Sequence, residues 1–199
     1  APAAPSLLPF SRRLLAAAVL AGAPGWAVGA VRPGGGAARA PAPQVTYALL
    51  GGRQQSTSDL RGQVVLVNFW ATSCATCVAE MPELVATHQK YRGQGYQTVA
   101  VAMSYDPPAY VANFAQSRQL PFGVVIDNTG AIAKGFGDVK ITPTTFLINK
   151  RGEIVKRYVG APDFAALHTL VEKLLAEGGA LPGRSADQSG WLTPGPAAC

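Results

Sequence analysis

Apolar runs alternate with amphipathic stretches between residues 44 and 177, and each has the length of one strand or one helix. The segment Val64–Trp70 is apolar except at Asn68, a pattern typical of a central strand covered on both faces. Ala75–Tyr91 carries apolar side chains at helical spacing and predicts a helix directly after that strand. Further strands are predicted at Gln97–Met103, Val124–Ile126, Thr144–Ile148 and Ile154–Val159, and further helices at Ala109–Gln116 and Phe164–Leu175.

A short hairpin precedes this alternation. The segments Val45–Leu49 and Arg53–Ser56 can pair across Gly51 and Gly52. The order of elements predicts an α/β domain over residues 44–177, in which a central mixed sheet is flanked by helices on both faces. The hairpin would be an extra N-terminal element of that domain.

The beginning of the chain has the layout of an export signal. Arg12 and Arg13 precede the apolar run Leu14–Ala23, and Pro24 and small residues follow it. We therefore expect residues 1–30 to be a signal peptide or a membrane anchor. Either would place the rest of the chain in the periplasm or another extracytoplasmic compartment, where disulfides persist.

Two further segments have compositions that are unsuited to a packed core. Residues 31–43 are rich in Gly, Ala, Pro and Arg, and residues 178–199 repeat that composition at the other end of the chain. The first is predicted to be a linker and the second a flexible tail.

The net charge of +6 does not indicate a nucleic-acid partner. Four of the arginines lie within residues 1–39, and the remainder of the chain has 13 basic and 11 acidic residues. That remainder is nearly neutral, and it lacks the basic patches with interleaved aromatics that bind nucleic acids. We expect no nucleic acid among the partners.

The chemistry is indicated by a pair of cysteines, Cys74 and Cys77, at the predicted start of the helix Ala75–Tyr91. Cysteines at i and i+3 are one helical turn apart and can form a disulfide. The unpaired N–H groups at a helix start favour an anion, so the pKa of Cys74 should lie below that of a free thiol. Cys74 is therefore the candidate nucleophile, and Cys77 would attack the resulting mixed disulfide.

Three other uses of the two cysteines are open at this stage. They could form a permanently closed structural disulfide in a binding module, or they could bind Cu(I) as two soft thiolates in a metallochaperone. A zinc site is disfavoured because Cys199, His88 and His168 lie far away in sequence, and no metal ligand is assigned. Both histidines are expected at the surface or its boundary, and Cys199 has no assigned role.

Three separated motifs resemble one family. They are the active-site stretch from Val65 to Leu84, the segment Thr142–Asn149 followed by Gly152, and the short stretch Ser58–Gly62. In this order and spacing they resemble the TlpA, ResA and DsbE group of membrane-associated thioredoxin-like proteins, over roughly residues 44–176. The resemblance implies a thioredoxin-like fold and protein-disulfide oxidoreductase activity, with the redox-active pair in place of any cofactor.

The resemblance also assigns roles beyond the cysteines. It implies that Pro143 follows a cis peptide bond facing the cysteine pair, and that the backbone of Thr142 pairs with an extended substrate peptide. Glu80 matches an acid that the family places near the deeper cysteine, and we expect it to manage the proton of Cys77. The alternative for Glu80 is a solvated side chain that merely suits the helix dipole.

The motifs depart from the family at two positions. The family usually has tryptophan before the first cysteine and proline before the second, whereas this chain has Ser73 and Thr76. The intervening residues tune thiolate stability, so the direction of electron flow is not fixed by the motif. The implied partners are cysteine-containing proteins, namely apocytochrome c or a copper-site subunit of an oxidase, and a membrane thiol reductant that restores the pair.

Overall fold

The structure, a computed structural model, describes residues 39–178. Seven strands and four α-helices alternate along this part of the chain. The strands are β1 (Thr46–Ala48), β2 (Gln54–Ser56), β3 (Val64–Trp70), β4 (Tyr96–Ala102), β5 (Gly123–Ile126), β6 (Thr144–Ile148) and β7 (Ile154–Val159). The helices are α1 (Ala75–Tyr91), α2 (Pro108–Ser117), α3 (Ala131–Gly135) and α4 (Phe164–Ala176).

Five of the strands form one mixed sheet, in the order β5-β4-β3-β6-β7. β3, β4 and β5 are parallel to one another, whereas β6 and β7 are antiparallel to their neighbours. The carboxyl ends of the three parallel strands therefore meet at one edge of the sheet. The first of these ends, after Trp70, leads directly into the cysteine pair.

The central strand β3 is buried at all seven positions. Because successive side chains point to opposite faces, Val64, Leu66 and Trp70 enter one core, while Val65, Val67 and Phe69 enter the other. This burial on both faces explains why the strand is a nearly continuous apolar run in the sequence.

The first core lies between the sheet and the helices α1, α2 and α4. Each helix contributes fully buried residues, such as Leu84 from α1, Val111 from α2 and Leu167 from α4. The ring of Trp70 packs against Phe114 of α2, with 5.0 Å between centroids. This contact packs α2 against the end of β3.

The opposite face is covered by α3 and the N-terminal hairpin. Phe69, Phe136 and Phe146 pack edge to face or tilted, with centroids 5.0 to 5.9 Å apart. Tyr47 from β1 is buried in the same core, and Leu50 donates its backbone N–H to Val124 of β5 at 2.9 Å. The hairpin thereby covers the edge strand of the sheet.

The fold predicted from the sequence is confirmed, including the mixed sheet, the helices on both faces and the extra hairpin. The bounds of β3, α1, β6 and β7 are as predicted, and those of the other predicted elements differ by one or two residues. α3 was missed because five residues are too few to show helical periodicity. Its first turn is stabilised by Asp127, whose carboxylate accepts from the backbone N–H groups of Ile132 and Ala133.

The terminal segments are described only in part. The predicted signal or anchor, residues 1–30, and nearly all of the tail, residues 178–199, lie outside the described residues, as does most of the linker, residues 31–43. The last residues of that linker segment pair with the start of β7: Ala42 donates to Gly152, and Ile154 donates to Ala40, each at 2.8 Å. Within residues 39–178, no helix combines the length and apolarity needed to cross a membrane.

A substitution of Leu84 in α1 tests the assignment of the first core. This residue is fully buried, and Leu84→Ala should lower the free energy of unfolding by about 2–5 kcal/mol, because the truncation leaves a cavity beneath the helix. Glu83→Ala, at the exposed neighbouring position, should change it by no more than about 0.5 kcal/mol. Urea unfolding of the oxidised protein measures both, and equal effects of the two variants would contradict this assignment of the core.

Candidate active site

Cys74 and Cys77 form a disulfide at the start of α1, with 5.2 Å between their Cα atoms. Cys74 is the N-cap residue of the helix, and its sulfur accepts the backbone N–H of Cys77 at 3.2 Å. Cys74 is half-buried, whereas Cys77 is fully buried. Of the two sulfurs, the one at the helix start is therefore the one that a partner can reach.

The electrostatic surroundings of Cys74 favour a thiolate. The first turn of α1 contains no acidic residue, so the positive end of the helix dipole is not neutralised by its own side chains. A thiolate formed on reduction would lie where the unpaired N–H groups of the helix point. Both effects lower the pKa of a cysteine thiol at this position.

The loop before β6 lies at the same edge of the sheet. The Thr142–Pro143 peptide bond is cis, as the family resemblance implied. Thr144 pairs with Phe69 in the antiparallel register of β6 and β3, so Pro143 lies beside the point at which β3 leads into the cysteine loop. Thr142 is half-buried, and its hydroxyl lies 3.3 Å from the hydroxyl of the exposed Tyr105.

Glu80 lies inside the protein, one helical turn after Cys77. Only 4% of its surface is exposed, and its Oε1 accepts from the side-chain amide of Asn68 at 2.9 Å. The same amide donates to the hydroxyl of Thr145 at 3.0 Å. Burial raises the pKa of Glu80 to about 7, and the hydrogen bond from Asn68 opposes part of that rise. The predicted proton-handling role stays a prediction, but the alternative of a solvated glutamate does not fit its burial.

The prediction for His88 is wrong. This residue is 4% exposed, and its ring packs edge-on against Phe122, with 5.5 Å between centroids. It lies one turn after Leu84 on the inner face of α1, and burial, followed by the charge of Arg92, lowers its pKa. His168 is half-buried and forms a 2.8 Å hydrogen bond with Thr87.

One acid at this edge was not singled out by the sequence analysis. Asp106, in the loop between β4 and α2, is 2% exposed and contacts Thr72, two residues before Cys74. Nothing in its local sequence marks it, because the contact joins residues 34 positions apart. Residues 39–178 contain no cluster of three or more potential metal ligands, and Cys199 lies outside them.

The chain is similar to known proteins over most of its folded part. The Redoxin family model matches residues 37–171. The thiol-disulfide oxidoreductase ResA of Geobacillus thermodenitrificans is 37% identical over 119 residues, which are 60% of this chain and 67% of that protein. ResA of Bacillus subtilis is 36% identical over 117 residues, or 59% of this chain and 64% of the relative. The chain thus spans about two thirds of the length of these relatives.

A solved structure shows the same fold. It is the thiol:disulfide interchange protein of the thioredoxin family from Chlorobium tepidum, which is 26% identical with a TM-score of 0.65. The similarity covers 70% of this chain and 99% of that one. Together with the disulfide at the start of α1, these similarities show that the chain belongs to the Redoxin family and is a thioredoxin-like thiol-disulfide oxidoreductase.

Proposed function

We propose that this protein is an extracytoplasmic reductant of protein disulfides. The observation that carries the proposal is the unequal burial of the two sulfurs: Cys74 is half-buried at the helix start, and Cys77 is fully buried one turn deeper. One cysteine can meet a partner, and the other can act only after the first has reacted. The names of the ResA relatives support thiol-disulfide exchange as the chemistry.

The exchange proceeds in two steps. In the reduced protein, the thiolate of Cys74 attacks one sulfur of the partner's disulfide. That bond breaks, and the departing sulfur takes up a proton. The thiol of Cys77 then loses its proton, and its thiolate attacks the sulfur of Cys74, which releases the partner's second sulfur as a thiolate that is protonated in turn. Two electrons pass to the partner, and the protein is left with the Cys74–Cys77 disulfide.

Glu80 is the proposed acceptor of the proton from Cys77. A carboxyl with a pKa of about 7 is divided between its two forms at neutral pH, so it can accept a proton and return it without a large free-energy difference. Its oxygen Oε1 is held by Asn68. The second oxygen has no hydrogen-bond partner among the described residues.

The sequence motifs support proposals for the partners and for the compartment. Thr142, beside Pro143, offers its backbone to an extended segment of the partner. The family resemblance favours apocytochrome c or a copper-site subunit of an oxidase as the partner, and a membrane thiol reductant as the electron donor. The export layout of residues 1–30 favours the periplasm or another extracytoplasmic location.

The reduction potential of the Cys74–Cys77 pair tests the direction of electron flow. A reductant should have a value near roughly −270 mV, measured at equilibrium with glutathione or dithiothreitol on the full chain. A value near roughly −120 mV would make the protein an oxidant, and a value below about −300 mV would indicate a closed structural disulfide. Either would contradict the proposed role.

Glu80→Gln tests the proton acceptor. The wild-type rate of reduction of oxidised glutathione should rise as the pH passes through about 7, where Glu80 ionises. The variant should lose this rise and react about 100-fold more slowly above pH 7, because positioned proton transfer contributes at least that factor. Glu83→Gln, at an exposed position of the same helix, is the control. A Glu80→Gln enzyme with the wild-type pH profile would refute the role.

The stability of the oxidised protein gives a second test of Glu80. Its pKa is raised from an ordinary 4.5 to about 7 in the folded chain, so the folded state holds a proton that the unfolded state releases. Stability contributed by the protonated form is complete below pH 4.5 and is lost as the pH rises through 7. Urea unfolding should show this decline in the wild type, and Glu80→Gln should flatten it. Equal declines in both proteins would show that a group other than Glu80 causes the pH dependence of stability.

A further inference from the structure

The loop between β3 and α1 presents Cys74, and its middle residue is held by a carboxylate from a different loop. Asp106 accepts the backbone N–H of Thr72 at 2.6 Å and the hydroxyl of Thr72 at 2.5 Å. Each of its two oxygens accepts one hydrogen bond, so Thr72 is held through both its backbone and its side chain. Hydrogen bonds that end on a carboxylate are shorter and stronger than neutral ones.

This contact joins a buried carboxylate to a half-buried residue close in sequence to the nucleophile. Asp106 is 2% exposed, so water competes little for its oxygens. Only three residues separate β3 from Cys74, and Cys74 donates its own backbone N–H to Ala71 at 3.1 Å across Thr72. A fixed Thr72 therefore fixes the turn that sets the sulfur of Cys74 against the backbone N–H of Cys77.

We infer that Asp106 is a positioning residue for Cys74. Its two hydrogen bonds with Thr72 order the loop before the disulfide forms, and they thereby keep the two thiols close in the reduced protein. Without them, the reduced loop gains conformational freedom, and closure of the disulfide has to remove that freedom. The equilibrium for closing the pair would then become less favourable. The inference rests on the proposed exchange function, but its test needs no protein partner.

The fold contains a matched control for this carboxylate. Asp127 follows β5 at the same edge of the sheet, is also 2% exposed, and also accepts two hydrogen bonds, from the backbone of Ile132 and Ala133. It holds α3, and within residues 39–178 none of its hydrogen bonds reaches the cysteine loop. Loss of Asp127 should therefore destabilise the fold without changing the closure of the Cys74–Cys77 pair.

The experiment measures the equilibrium of the full chain with glutathione. Reduced protein and one oxidised glutathione give the Cys74–Cys77 disulfide and two reduced glutathiones. Acid quenching, alkylation and mass analysis of the peptide that contains both cysteines exclude any contribution of Cys199. Asp106→Ala should lower this equilibrium constant about tenfold, which corresponds to about 30 mV. Asp106→Asn, whose amide can still accept from the backbone and donate to the hydroxyl of Thr72, should stay within about threefold of wild type.

A second pair of variants leaves the carboxylate in place. Thr72→Val removes only the hydroxyl donor and should lower the constant about threefold, whereas Thr72→Ser keeps the hydroxyl and should restore it. This pair decides the question if Asp106→Ala does not fold. An unchanged constant in Thr72→Val and in any folded Asp106→Ala would overturn the inference.

Two other results would also overturn the positioning role. If Asp127→Ala lowers the constant as much as Asp106→Ala does, the effect is general destabilisation. If Asp106→Asn lowers the constant as much as Asp106→Ala does, the negative charge of Asp106 is responsible, and its hydrogen bonds to Thr72 are not. Failure of the proposed function is a separate result, since it would appear as a potential of the wild-type pair outside the range of a reductant, whatever the variants show.

Discussion

The hydrogen bond from the backbone N–H of Cys77 to the sulfur of Cys74 is the interaction on which the active site depends. It requires that Cys74 be the N-cap of α1, a short loop after the fully buried strand β3 ends at Trp70. The packing of Leu84 and its neighbours holds the helix over the sheet, and the short loop after β3 leads to the start of the helix. The core therefore fixes the place at which a thiolate is stabilised, and the loop residues adjust it.

Polar groups inside the core are the second constraint. Asn68 interrupts an otherwise apolar strand, and its amide joins β3 to Glu80 of α1 and to Thr145 of β6. A buried carboxylate without such a partner would be costly. The network therefore keeps an acid near Cys77 with a pKa close to neutrality. This polar position is visible in the sequence, where Asn68 is the one polar residue of Val64–Trp70.

The sequence predicted those features that repeat locally, and it missed those that join distant residues. The strand β3, the helix α1 and the placement of the cysteine pair followed from apolar spacing and from the pair itself. His88 was misplaced because a histidine looks polar in a sequence, although its ring can fill an aromatic core. Asp106 could not be recognised, since its function is defined by Thr72, which only the folded chain brings beside it.

The most direct test of this account is the alkylation of the reduced protein with iodoacetamide as a function of pH. The helix-start geometry predicts that Cys74 reacts first, with a midpoint below the roughly 8.5 of a free thiol, while the buried Cys77 stays protected. Peptide mass analysis identifies the labelled residue. Labelling of Cys77 before Cys74, or a midpoint for Cys74 at or above roughly 8.5, would contradict the account.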